Sequence, residues 1–216
     1  MWRPRLERRD FRTMDERKPQ ILLFDLGGVL IDIDFSRALR AWQPFSRLSS
    51  DELKQAFRFD ESYARHERGE ITAAEYFEHL SSVLALEAEH SDIERGWNAI
   101  FVSEIAETLA LVRAARGRMP CHVFTNTNAA HQAAWSRMFP TVASSFDHIF
   151  ASHEIGLRKP EQRAFAHVAQ ALGVPADSIT FFDDSFENVE GARKAGLQAV
   201  HVRTPQDVAN ELQRIG

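Results

Sequence analysis

The stretch Ile21-Leu22-Leu23-Phe24-Asp25-Leu26-Gly27-Gly28 sets four consecutive apolar residues before an aspartate and a pair of glycines. Consecutive rather than alternating apolar residues suit a strand covered on both faces. Four more short apolar runs follow at Cys121–Thr125, 148–152, Ile179–Asp183 and 199–202. Helical patterns at 104–115, 128–139, 160–172 and 186–195 separate or flank the later ones. The third begins with Pro160 at its first helical position and stops at Gly173, and the fourth stops at Gly196, which is ordinary start and stop chemistry. Strands alternating with helices predict an α/β fold, a mostly parallel sheet with helices on both faces.

Between the first and second strands the chain is too long for one crossover. Residues 36–100 read as helical throughout, and Ser49-Ser50-Asp51-Glu52 and Thr72-Ala73-Ala74-Glu75 each fit a capping box. In an open α/β sheet, ligands bind beyond the carboxyl ends of the strands, so an insert placed there covers the site as a cap. The expected organisation is a core from residues 20–35 and 101–216, a helical cap from residues 36–100, and a disordered extension over residues 1–19. That extension mixes arginines with Glu7, Asp10, Asp15 and Glu16, unlike a signal or transit peptide. Met14, just ahead of the first strand, is an alternative start.

Composition narrows the function classes. Hydrophobic residues make up 44% and charged residues 26% of 216 residues, ordinary for a soluble globular protein. The formal charge of −5 offers no footprint for nucleic acid, although a local basic cluster still suits small anions. No apolar stretch reaches the roughly 20 residues that span a bilayer. The lone cysteine, Cys121, fits a reducing, cytoplasmic setting and reads as a small buried hydrophobe. Small phosphorylated anions are not excluded as partners, and a monomer or small homo-oligomer is the expectation.

The chemistry stands at the strand ends. The first delivers Asp25, the second Thr125-Asn126, the third leads to Arg158-Lys159-Pro160, and the fourth ends on Asp183-Asp184-Ser185. A phosphoryl group repels an incoming carboxylate unless a divalent cation screens both. Mg²⁺ takes hard oxygen ligands and keeps several waters, so Asp25 and Asp184 suffice, with Asp183 beside them. A carboxylate nucleophile splits the displacement into formation and hydrolysis of an aspartyl phosphate. Lysine suits phosphoryl oxygens and the nucleophile's carboxylate. A threonine hydroxyl and amide groups supply further hydrogen bonds. Gly27 and Gly28 let the backbone turn sharply and approach metal or phosphate.

In order and spacing, these four segments resemble the motifs of the haloacid-dehalogenase-like (HAD) superfamily over residues 20–202. The long insert resembles a C1-type helical cap. The resemblance implies a Rossmann-like sheet of order 5-4-1-2-3 and a Mg²⁺-dependent phosphatase. It implies Asp25 as nucleophile and metal ligand, Gly27 reaching Mg²⁺ through its carbonyl, and Asp184 on Mg²⁺. Thr125, Asn126 and Lys159 then hold phosphate, with Asp183, Ser185 and Asn188 in support. Phe24-Asp25-Leu26-Gly27, Ile31-Asp32-Ile33-Asp34-Phe35, His66-Glu67-Arg68-Gly69-Glu70 and Phe181-Phe182-Asp183-Asp184 are similar to bacterial α-D-glucose-1-phosphate phosphatases. One departure matters: phosphatases of this superfamily usually carry a second aspartate where this chain has Gly27, so the proton donor for the leaving group is missing. That glucose-1-phosphate phosphatase group shares the glycine.

Several residues have a plainer reading. His66-Glu67-Arg68 suits a substrate-selecting loop and a solvated helix end equally. Asp32 and Asp34, alternating with Ile31 and Ile33, read as the wet face of a short hairpin rather than as leaving-group acids. Trp42, Trp97 and Trp135 read as packing residues, and His131 and His153 lack metal-ligand spacing. The rival functions are a haloacid dehalogenase, a phosphomutase and a sugar-phosphate-binding regulator. The dehalogenase has no use for metal-binding acids after the fourth strand, and Gly27 removes the acid/base a mutase needs.

Overall fold

A computed structural model describes residues 20–216, so the extension expected over residues 1–19 lies outside the described residues. The chain enters through β1 (Ile21–Phe24), all four residues buried, and then β2 (Ile31–Ile33). The insert follows as α1 (Phe35–Trp42), α2 (Ser50–Ala56), α3 (Glu61–Glu67), α4 (Ala73–Val83) and α5 (His90–Asn98), and β3 (Phe101–Glu104) leads back out. Beyond it come α6 (Ala106–Arg116), β4 (Cys121–Thr125), α7 (Ala129–Met138), α8 (Pro140–Ser144), β5 (His148–Ala151) and α9 (Ser152–Ile155). The chain closes with α10 (Gln162–Leu172), β6 (Ile179–Asp183), α11 (Phe186–Lys194), β7 (Gln198–His201) and α12 (Pro205–Ile215).

The main sheet is parallel with order β5-β4-β1-β6-β7. Numbering its five strands alone gives 5-4-1-2-3 read from the β7 edge. Pleat alternation splits β1 between two cores. Leu22 and Phe24 pack with Val123, Phe182 and side chains of α6, α7 and α12, while Ile21 and Leu23 pack with Phe124, Phe181 and α10. The three central strands, β1, β4 and β6, are buried on both faces, which is why their apolar residues run consecutively.

Two expectations are corrected. Ile31–Ile33 is not one arm of a local hairpin: it pairs antiparallel with Phe101–Glu104, where the chain returns from the insert. Asp34 is the N-cap of α1, accepting from Ser36 N–H at 2.8 Å. Pro160 is not the first residue of α10. The extended backbone of Glu161 intervenes and the helix starts at Gln162, so Pro160 belongs to the turn that follows Lys159. The stop at Gly173 holds, with φ at +69°.

The insert is helical, as its patterns predict, and both capping boxes form: Ser49 with Glu52, and Thr72 with Glu75. Trp42, Trp97 and Trp135 are buried packing residues. His131 lies flat on Trp97, ring centroids 4.4 Å apart, and donates from Nε2 to the Trp97 carbonyl at 3.0 Å. His66 is stacked on Tyr76. On β4, Cys121 is fully buried, and burial, with Asp147 nearby, pushes its thiol up to about 12. No helix among the described residues is long and apolar enough to cross a membrane.

Candidate active site

β1 hands the chain to Asp25, whose N–H still donates to Phe182 O at 2.8 Å, so the aspartate is held in sheet register. The chain then turns tightly: Gly28 N–H donates to Ile31 O, and Ile31 N–H to Leu26 O, both at 2.9 Å. Gly28 has φ +73°, and a Cβ there would fall on the Asp184 carboxylate. A glycine at 28 is therefore required twice, for backbone conformation and for the close approach of Asp184.

Lys159 is buried between the rings of Phe124 and Phe181, 5.5 and 5.2 Å from their centroids. Its Nζ lies 2.7 Å from Asp25 Oδ1 and 2.6 Å from Asp183 Oδ2. Burial works against the ammonium, but Asp183 and Asp25 outweigh it and hold its pKa above the ordinary lysine value. Burial raises the Asp25 carboxyl well above the usual carboxylate range. Lys159 opposes that rise, and Asp183 and Asp184 add to it by like-charge repulsion. Partial burial, then Asp183, raises Asp184 as well.

Asp183 is fully buried and spoken for. It accepts from Lys159, from Ser185 N–H at 2.8 Å and from Asn188 Nδ2 at 3.1 Å. Asn126 is similarly engaged: Nδ2 donates to Lys159 O and Oδ1 accepts from Lys159 N–H, both at 2.9 Å. Its side chain thus fixes the main chain that aims the lysine.

Asp25, Gly27, Thr125, Asn126, Lys159, Asp184, Ser185 and Asn188 all border one cleft of about 490 Å³, with Asp183 beneath it. Every residue singled out from the strand ends is therefore brought to one place. Asp32, Asp34 and His66 do not border it. Oxygens of Asp25, Asp183 and Asp184 lie within 4.8 Å of one another, a spacing that suits a shared metal ion.

The sequence model of the haloacid dehalogenase-like hydrolases matches residues 19–196. The chain is a haloacid dehalogenase-like hydrolase. This hydrolase is 27% identical over 208 residues to Phosphatase MT3486 of Mycobacterium tuberculosis, covering 90% of this chain and 94% of that protein. It is 21% identical over 196 residues to the D-ribitol-5-phosphate phosphatase of Bacteroides thetaiotaomicron, covering 88% and 95%. Its fold superposes with a TM-score of 0.73 on a HAD family enzyme from Bacteroides thetaiotaomicron in complex with magnesium and inorganic phosphate. That pair is 28% identical, over 84% of this chain and 92% of that one.

The hydrolase also carries cleft residues beyond those at the strand ends. Phe59, Tyr63 and Glu67 reach the cleft from the insert, and Arg158 from the loop before Lys159. Of the two readings of His66-Glu67-Arg68, Glu67 does end a helix but is not solvated, and it borders the cleft. It is 2% exposed and accepts from Arg158. Arg158 was visible beside Lys159, but nothing in a single sequence links it to a glutamate 91 positions earlier.

Proposed function

We propose that this hydrolase is a Mg²⁺-dependent phosphatase of small phosphorylated metabolites, working through an aspartyl phosphate on Asp25, with sugar 1-phosphates such as α-D-glucose 1-phosphate as its substrates. The observation that carries the reading is Asp25 held 2.7 Å from a buried lysine and within 4.8 Å of two further carboxylates, at the mouth of one cleft.

Magnesium fits the residues present. Three carboxylates, Asp25 and Asp183 buried and Asp184 exposed, share one ammonium, and like-charge repulsion adds to burial in raising the Asp25 and Asp184 carboxyls. Asp25 and Asp184, with the Gly27 carbonyl, would hold the ion. When bound it would supply positive charge that screens the attacking carboxylate from the phosphoryl group. Asp25 attacks phosphorus, and the bond to the leaving oxygen breaks. Water then hydrolyses the aspartyl phosphate, releasing inorganic phosphate and restoring the carboxylate. Lys159 orients Asp25 and takes a share of the phosphoryl charge. The Thr125 hydroxyl and the Asn126 backbone N–H donate to phosphoryl oxygens, since the Asn126 amide is occupied by Lys159. Asp183, Ser185 and Asn188 hold the lysine in position.

Gly27 shapes the substrate preference. Without an acid there, the leaving oxygen departs with little protonation, so its own basicity governs the rate. The anomeric oxygen of an aldose 1-phosphate is less basic than a primary alkoxide, because the ring oxygen withdraws charge. The resemblance to glucose-1-phosphate phosphatases supports the same preference.

Phosphate release from glucose 1-phosphate and glucose 6-phosphate, with Mg²⁺ or with EDTA, tests the reading. The expected result is a higher kcat/KM for the 1-phosphate and loss of both activities in EDTA. Halide release from a 2-haloacid that survives EDTA would replace the phosphatase with a dehalogenase. Equal kcat values for the two sugars would mean that another group protonates the leaving oxygen.

A further inference from the structure

Glu67 ends α3 with its carboxylate buried on the wall of the cleft. Burying a carboxylate is unfavourable unless it is paired and hydrogen-bonded. Arg158 does this, setting Nε and Nη2 2.8 and 2.7 Å from Oε2, and the Tyr63 hydroxyl, one turn earlier on α3, also favours the charged carboxylate. Burial still leaves the Glu67 carboxyl above its ordinary pKa, with Arg158 and Tyr63 opposing.

All three groups border the same cleft as Asp25. With the phosphoryl group against Asp25 and Lys159, the leaving group meets the walls contributed by the insert: Phe59, Tyr63 and Glu67, with Arg158 beside them. An arginine in such a place ordinarily recruits a second anion. Here Glu67 neutralises it, and Glu187 adds another negative charge to the rim. Among the lining residues Asp25, Glu67, Asp184 and Glu187 stand against Arg158 and Lys159. With Asp183 beneath them, one divalent cation leaves that set with negative charge in excess even before the phosphoryl group adds its own, so no positive charge is left over for a carboxylate or a second phosphate. What remains is hydrogen-bonding capacity. A carboxylate offers about four acceptor sites and a guanidinium five N–H donors, more than their mutual bonds consume. The Phe59 and Tyr63 rings, centroids 4.8 Å apart, add an apolar flank.

Resting on the phosphatase reading, we propose that the buried Glu67–Arg158 pair is the specificity determinant of this cleft: it admits monophosphates with a neutral, hydroxyl-bearing leaving group and turns away those carrying a second anionic group. A purely structural strut is the alternative. The insert already meets the core elsewhere, where Gly69 packs so closely on the His153 carbonyl that a Cβ would collide with it.

The test uses glycerol 3-phosphate and 3-phosphoglycerate, which share a skeleton and differ by a hydroxymethyl against a carboxylate. Each is measured as a competitive inhibitor of p-nitrophenyl phosphate hydrolysis with Mg²⁺, in wild type and Glu67→Gln. Wild type should hold glycerol 3-phosphate at least about tenfold more tightly, as like-charge exclusion predicts. Glu67→Gln uncovers Arg158, so its Ki for 3-phosphoglycerate should fall while that for glycerol 3-phosphate rises, bringing the ratio to about one or below. Equal wild-type Ki values overturn the proposal, and need no variant. So does a Glu67→Gln protein in which both Ki values rise by the same factor, the signature of a strut. Should Glu67→Gln not fold, the wild-type ratio decides alone. Absence of p-nitrophenyl phosphate hydrolysis removes the phosphatase reading and this inference with it, whereas hydrolysis without discrimination removes the inference only.

Discussion

Asp25 and the two glycines that follow it show how much rests on single side chains. On the proposed mechanism, Asp25→Asn exchanges the attacking carboxylate for an amide, and it takes one negative charge from a crowded acidic site. We expect turnover to fall by at least about 10³-fold, with melting temperature kept or raised, because burial disfavours the charged carboxylate there, and relief of that burial and of repulsion from Asp183 and Asp184 offsets the lost attraction to Lys159. Phosphate release and a thermal melt check both halves. The glycines should part company. At Gly27 no left-handed φ is present, and a Cβ would meet only the tip of Ile33, 2.9 Å away. Gly27→Asp should therefore fold and narrow the kcat/KM gap between glucose 1-phosphate and glucose 6-phosphate. Gly28→Ala puts a methyl group on the Asp184 carboxylate at a positive φ, costing upwards of about 1 kcal/mol and weakening Mg²⁺ dependence. A Gly28→Ala protein with wild-type Tm and Mg²⁺ response would contradict this account of the turn.

Secondary-structure elements set the next level, and α3 and α7 carry its prediction. Burial lowers His66 to about 4 and His131 to about 3, from an ordinary 6.5. The unfolded chain therefore binds protons that the native one does not as pH falls below 6.5. Stability is full above that value and declines as pH drops towards the native pKa values, by up to about 1.4 kcal/mol per pH unit for each ring. Melting temperatures between pH 7 and pH 4 should show this slope, reduced in His131→Asn. These elements also show what a sequence discloses. β1, β4 and β6 were legible to the residue, because each is an apolar run bounded by the polar groups it delivers. α6, α7, α10 and α11 were legible from their periodicity to within a residue or two, whereas the short α8 and α9 and the closing α12 were not read. β2 and β3 were not, since each is a few residues long and its partner lies beyond the entire insert. The half of the cleft proposed to hold the phosphoryl group was legible because its polar groups stand at strand ends. The leaving-group half was not, because Tyr63, Glu67 and Arg158 meet only through tertiary packing.

The whole molecule joins a sheet that presents charge to an insert that covers it, and its stability should respond to the ion that balances the charge. Binding to the native state alone stabilises by about 2.7 kcal/mol at a hundredfold excess over Kd, or about 5–10 °C for a chain of this size. Mg²⁺ should raise Tm by that order, EDTA should reverse the rise, and Asp184→Ala should abolish most of it. An unchanged Tm over a millimolar Mg²⁺ titration would count against the acidic cluster as a metal site. Cys121 gives the same molecule a chemical handle. Only thiolates react readily with disulfide reagents, and this thiol, the chain's single one, is fully buried with its ionisation pushed up to about 12. Because it lies in the central sheet, a neutral-pH labelling reagent should modify it only when that sheet comes apart. The rate of labelling then counts openings of the core one by one, without an added dye or an engineered probe, and reports how often the hydrolase unfolds while it works.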